Sequence, residues 1–91
     1  MVRITWLGHS SFQLVLDSGE TYLLDPWIDG NPKYPAGHEI PRVDAVLVTH
    51  GHFDHFQAVE SLAKRHNAAV VSIYEVCQYL KRAVASPRSR P

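Results

Sequence analysis
Four side chains able to hold a metal ion stand within six residues of this chain, in His50-Gly51-His52-Phe53-Asp54-His55. His50 and His52 are two apart, so an extended backbone sends both imidazoles to one side, and Gly51 between them permits a tight bend. Asp54 and His55 fall where the chain must turn into a helix. Imidazoles with a carboxylate suit zinc first, and also manganese or iron. Adjacent residues such as Asp54 and His55 do not easily join His50 and His52 around one tetrahedral centre, so the spacing implies two ions rather than one. The alternative is a loop that is merely rich in histidine. Four ligand types compressed between a buried strand and a helix start favour the metal.

The elements that must position this loop can be read on either side of it. Ala45 to Val48 is an apolar run suited to a strand buried on both faces, and it delivers Thr49 and the ligands at its carboxyl end. A helix is expected from about Phe56 to His66, with Phe56, Val59, Leu62 and Ala63 on one stripe and Asn67 as its stop. Upstream, Val2 to Leu7 reads as a first strand broken by Gly8, followed by Phe12 to Leu16 and Thr21 to Leu24, a hairpin through Asp17-Ser18-Gly19-Glu20. Pro26, Pro32, Pro35 and Pro41, with Gly30 and Gly37, make 26–41 an irregular loop of a length that usually carries function or is disordered. Its Trp27, Tyr34 and His38 either line a pocket or, for Trp27, pack on the sheet. Ala69 to Ile73 reads as a fifth strand, and Ser72 to Glu75 has capping-box spacing before a second helix with Val76, Tyr79, Leu80 and Ala83 inward. After Val84 no apolar period remains. The expectation is one α/β domain of about five strands and two helices over residues 1–84, and a disordered tail over 85–91.

Composition narrows the class. A chain of 91 residues, 45% hydrophobic, can bury one modest core. The nine basic and nine acidic groups are unevenly spread: Lys81, Arg82, Arg88 and Arg90 lie in the last eleven residues, leaving five basic against nine acidic in the first eighty, a balance of minus four. Such a body carries no electrostatic footprint for nucleic acid. The single cysteine, Cys77, excludes an internal disulfide and suits a reducing compartment. No apolar run approaches the roughly 20 residues of a membrane span, and the opening residues lack the layout of a signal peptide. A soluble, cytoplasmic protein is expected.

His50-Gly51-His52-Phe53-Asp54-His55 matches the H-x-H-x-D-H signature of the metallo-beta-lactamase superfamily. Thr5-Trp6-Leu7-Gly8-His9-Ser10-Ser11-Phe12 and Leu24-Asp25-Pro26 resemble the opening strands of one branch, the small metal-dependent hydrolases similar to ascorbate-phosphate lactonase. The likeness runs from Met1 to about Leu80. It implies an αββα sandwich, of which this chain would be the first half. It also implies hydrolysis of a lactone, ester or phosphoester-like small molecule, with His50 and His52 on one ion, Asp54 and His55 on the other, and Asp54 and His55 as the catalytic residues. Relatives of this kind draw a further His for each ion and a bridging Asp from a second half, whereas residues 67–91 contain no His and no Asp. Hence the rival expectation: a truncated or assembly half-domain that binds metal weakly, or that needs a homodimer partner or the missing C-terminal half to complete it.

Two residues outside the signature are candidates for supporting roles. Asp25 closes a strand, where it either accepts a hydrogen bond from a ligand histidine or caps the turn before Pro26. His9 follows Gly8 in a loop that borders the active site in the resembling branch, so it is either a ligand or substrate contact or simply exposed. His66, at a helix end, is assigned a structural role, and Cys77 and Glu75 sit in an ordinary amphipathic pattern.

Overall fold
The apolar runs pair into a single sheet in a computed structural model that describes residues 1–49, 52–76, 78 and 89–90. Its strands are β1 (Arg3–Gly8), β2 (Ser11–Val15), β3 (Thr21–Leu24), β4 (Ala45–Leu47), β5 (Ala69–Val71) and β6 (Ser89–Arg90), lying side by side in chain order. The first three are antiparallel, joined by short turns; β3 to β6 are parallel and need crossovers. At the β2–β3 turn, Gly19 at φ +91° lets Leu16 and Glu20 close on each other, with the Leu16 N–H donating to the Glu20 carbonyl at 2.9 Å. Because β1 runs parallel to β3, the carboxyl ends of β1, β3, β4 and β5 all open on one edge of the sheet.

The two faces differ. On one, Gln13, Leu23, Val46 and Val70 are cross-strand neighbours, all buried, and α2 (Val59–His66) covers them with Val59, Leu62 and Ala63. That side holds the core, completed by Leu7, Val43, Val48, Ala58, Ala68 and Val76. On the other face the register lines up Trp6, Phe12, Leu24, Leu47 and Val71 in one row and Ile4, Leu14, Tyr22, Ala45 and Ala69 in the next. Every member of both rows is apolar or aromatic, and none is buried.

The helix expected from about Phe56 arrives earlier and in two pieces, α1 (Phe53–Phe56) and then α2. Hydrogen bonding to the loop after β3 explains the break. The Ala58 N–H donates to the Pro26 carbonyl at 3.1 Å instead of to the preceding helical turn, and Gln57 Oε1 accepts from the N–H groups of Ile28 and Asp29 at 3.0 and 2.9 Å. Asn67 ends α2 in the left-handed region at φ 50°, ψ 42°, with its N–H donating to the Ala63 carbonyl. Further on, residues 74–76 and 78 are helical, while Cys77, Tyr79, Leu80 and Ala83 lie outside the described residues. Ser89 and Arg90, within the stretch read as a tail, pair with Val70 and Val71 of β5, whose outer edge offers free backbone groups to an extended segment.

Asp44 ties the start of β3 to the start of β4. Its carboxylate accepts from the Thr21 N–H at 2.8 Å and from Arg42 Nε at 2.9 Å, and these bonds, the backbone one foremost, hold its pKa below the ordinary 3.8. A folded-state pKa that is depressed contributes stability above the ordinary value and loses it as pH falls through the folded one. Asp44→Asn is therefore expected to lower the thermal midpoint at pH 7, with the deficit shrinking as the pH is taken below 3.8. A deficit of equal size at pH 7 and pH 2.5 in parallel melts would refute this role.

Candidate metal centre
The carboxyl edge of the sheet gathers His9 after β1, Asp25 and Trp27 after β3, and Thr49, His52, Asp54 and His55 after β4. In open sheets with parallel strands this edge is where ligands bind, because several strand ends deliver side chains to one crevice. His50 and Gly51 lie outside the described residues.

Asp25 is the hub. The residue is 2% exposed and holds φ +46°, a conformation that Asp tolerates better than most side chains. The main chain is held there from both sides: its N–H donates to the Leu47 carbonyl at 2.8 Å, and its carbonyl accepts from Ser11 Oγ at 2.6 Å. Ser11 Oγ in turn accepts from the Trp27 N–H at 2.9 Å, so one buried hydroxyl latches both ends of the Asp25-Pro26-Trp27 turn. The carboxylate then faces the β4 loop. Oδ1 accepts from the Thr49 N–H at 2.7 Å, and Oδ2 accepts from Thr49 Oγ1 at 2.7 Å and from His55 Nδ1 at 2.9 Å.

That last bond decides the state of the imidazole. A carboxylate only accepts, so Nδ1 carries the hydrogen and Nε2 of the neutral ring keeps its lone pair. Nε2 lies 3.7 Å from Asp54 Oδ1, with the His55 side chain 16% and that of Asp54 45% exposed. Two donors each about 2.1 Å from a shared ion sit roughly 3.4 Å apart at a tetrahedral angle and about 4.2 Å at most. The 3.7 Å separation falls between, so this pair fits a shared ion although the residues are adjacent. His52 caps α1 in extended geometry and is exposed, and its carbonyl accepts from the His55 N–H at 2.9 Å. Among the described residues no three such donors converge on one point.

Around the centre the long loop is pinned by residues with no local pattern to mark them. Asn31 is buried and its Nδ2 donates to the carbonyls of Leu7, Gly8 and Trp27 at 3.2, 3.3 and 2.8 Å. A Cβ on Gly8, at φ +100°, would come within 2.8 Å of Asn31 Oδ1 and of Lys33 Cβ, which explains the glycine. His9 is exposed, with its carbonyl accepting from Trp6 Nε1 at 2.7 Å and its ring 4.7 Å from that of Trp27. Tyr34 and His38 stand elsewhere: the Tyr34 hydroxyl donates to the His38 carbonyl, and His38 Nε2 meets Gln13 Oε1 at 2.7 Å. They line a cavity of about 380 Å³ with Ile28, Ile40, Leu62 and Arg65, on the α2 side of the sheet. His66 is in the last turn of α2, apart from the centre, and its Nε2 is buried with no partner among the described residues. Thr49, Ser11 and Gln57 escaped the sequence reading; only Thr49, directly before the histidines, carried a signal.

His52, Asp54 and His55 thus stand in one strand-end loop, with the buried Asp25 carboxylate behind the His55 imidazole, an arrangement that commonly accompanies metal ligation. The chain belongs to the metallo-beta-lactamase superfamily, whose sequence profile matches residues 4–91. It is similar to a UPF0173 metal-dependent hydrolase of Solibacter usitatus, 49% identical over 88 residues that make up 96% of this chain and 38% of that protein. One of Archaeoglobus fulgidus is 42% identical over 81 residues, 89% of this chain and 34% of the relative. Among solved structures, a metallo hydrolase from the hyperthermophilic archaeon Ignicoccus hospitalis is 30% identical at a TM-score of 0.77, covering 91% of this chain and 36% of that one. The chain thus spans a little over a third of the length of these relatives. The mixed sheet with its helices is the metallo-beta-lactamase fold over that fraction.

Proposed function
We propose that this chain carries the first ligand loop of a metal-dependent hydrolase acting on small molecules with a lactone, ester or phosphoester-like bond. The observation that carries this is His55, fixed through Nδ1 by the buried Asp25 carboxylate and with Nε2 3.7 Å from Asp54 Oδ1. A histidine oriented through its other nitrogen in this way is a usual accompaniment of metal ligation. On this reading His50 and His52 hold one ion and Asp54 and His55 the other, with zinc first and manganese or iron as alternatives. What such an ion supplies is activation of water near neutral pH, through a pKa brought down to about 7. Asp25 keeps the proton on His55 Nδ1, and Thr49 donates two further hydrogen bonds to that carboxylate. A cytoplasmic setting belongs to the same reading; no described helix is long and apolar enough to cross a membrane.

The open apolar sheet face favours a second reading, in which the 91-residue chain is an assembly half. It would then take its remaining ligands from a partner copy or from further residues of a longer chain. Metal uptake tests the ligand assignment under both. Changing His50 and His52 together to Ala should remove one of the two zinc or manganese ions, measured by elemental analysis after gel filtration, and His66→Ala should leave uptake intact. Equal loss in His66→Ala would sink the assignment.

A further inference from the structure
We infer that His9, Trp27 and Phe53 form a recognition wall for a flat, π-bearing group of the substrate; calling that ligand the substrate rests on the metal loop being the reaction centre. The three rings come from three elements: the turn after β1, the loop after β3 and the first position of α1. They nevertheless meet. The rings of His9 and Trp27 are 4.7 Å apart at 61°, and those of Trp27 and Phe53 are 6.0 Å apart at 71°. Such edge-on contacts leave ring faces uncovered by one another.

The folding core does not account for them. Phe53 is 67% exposed, α1 buries none of its residues, and neither Trp27 nor Phe53 belongs to the hydrophobic cluster under the sheet. Two of the rings are nonetheless held by hydrogen bonds around them. Trp6 Nε1 donates to the His9 carbonyl, and Trp27 is fixed through its main-chain N–H to Ser11 Oγ and its Nε1 to the Asp29 carbonyl at 3.0 Å. With its indole N–H spent on Asp29, Trp27 offers a ligand π surface and no donor. Phe53 lies between His52 and Asp54 in the chain, so a group resting on it stands beside the metal loop. A planar unsaturated group gains edge and face contacts with such rings beyond its buried area, and a saturated ring of equal size gains the area alone.

Phenol and cyclohexanol make a matched neutral pair, and titrating both into the labelled chain tests the wall by nuclear magnetic resonance. Phenol should bind about three- to tenfold more tightly than cyclohexanol, moving the Trp27 indole N–H and the His9 ring resonances. Phe53→Leu, which keeps an apolar side chain of similar bulk at an exposed position, should bring the two affinities toward parity without unfolding the chain. Equal affinities in the unaltered chain would overturn the proposal, and so would shifts centred on Trp6, Leu14 and Leu47 of the open sheet face. Measuring zinc uptake by the same chain separates the two ideas. A phenol preference that persists in a chain unable to take up zinc would leave the wall standing and the hydrolase reading fallen, and zinc uptake without the preference would do the reverse.

Discussion
Asp25→Asn should weaken zinc binding about 10- to 100-fold, the usual cost of removing a group that orients a ligand histidine. The substitution is chosen because Asn tolerates the left-handed backbone at φ +46° about as well as Asp, so strain does not confound the result. Its effect is electronic and directional. Asp25 accepts from three donors, two of them on Oδ2. An amide can place an oxygen on only one side. If its NH2 replaces Oδ2, it faces the hydrogen on His55 Nδ1 and pushes the ring toward the tautomer whose Nε2 is protonated and cannot ligate. If it replaces Oδ1, it faces the Thr49 N–H, and losing that hydrogen bond to a charged group costs about 1.5–3 kcal/mol of stability. Asp29→Asn, outside this network, should do neither. Chelator competition reads the affinity and urea melts read the stability. A folded Asp25→Asn chain with unchanged zinc affinity would remove Asp25 from the centre.

Much of this arrangement was legible because local chemistry and global fold agree. Apolar runs at Thr21–Leu24 and Ala45–Leu47 became β3 and β4, and Asn67 stopped α2 because a left-handed cap is what Asn and Gly do cheaply. The residues after Leu47 could be placed at a strand end, since a buried parallel strand must deliver its next residues to the sheet edge. What periodicity could not carry were contacts between residues far apart in sequence. The break between α1 and α2 depends on Gln57 and Ala58 bonding to Pro26, Ile28 and Asp29, about thirty residues away, and nothing local to Gln57 announces it. The double latch of Ser11 on Asp25 and Trp27 is hidden for the same reason: a serine at a strand start has no pattern of its own. Phe53 read as a spacer between ligands, and only its neighbours in space give it a surface to share.

In solution the 91-residue chain is expected to form a two-fold dimer at micromolar concentration, its open sheet face packed on that of a second copy. Both rows of that face, from Trp6 to Val71 and from Ile4 to Ala69, run unbroken across five strands with no charged side chain in either. Five strands about 4.8 Å apart make a patch roughly 20 Å across, and with side-chain relief it reaches about 400 Å², the size of the largest apolar patch on a typical monomer and often an interaction surface. Burying about 400 Å² on each of two copies is worth roughly 20 kcal/mol gross at about 25 cal/mol per Å². The association cost of about 4–15 kcal/mol, with side-chain ordering and polar desolvation added, takes back much of that, and only the surplus shows as affinity. Leu47→Lys places a charge on β4 within the row that runs from Trp6 to Val71 while leaving the buried Val46 and Val48 untouched, and it should shift the sedimentation coefficient from dimer to monomer. Amide exchange in β4 should quicken in that variant, since the strand loses the cover on one of its two faces. An unaltered chain that sediments as a monomer while its β4 amides stay well protected would show that the face needs no partner.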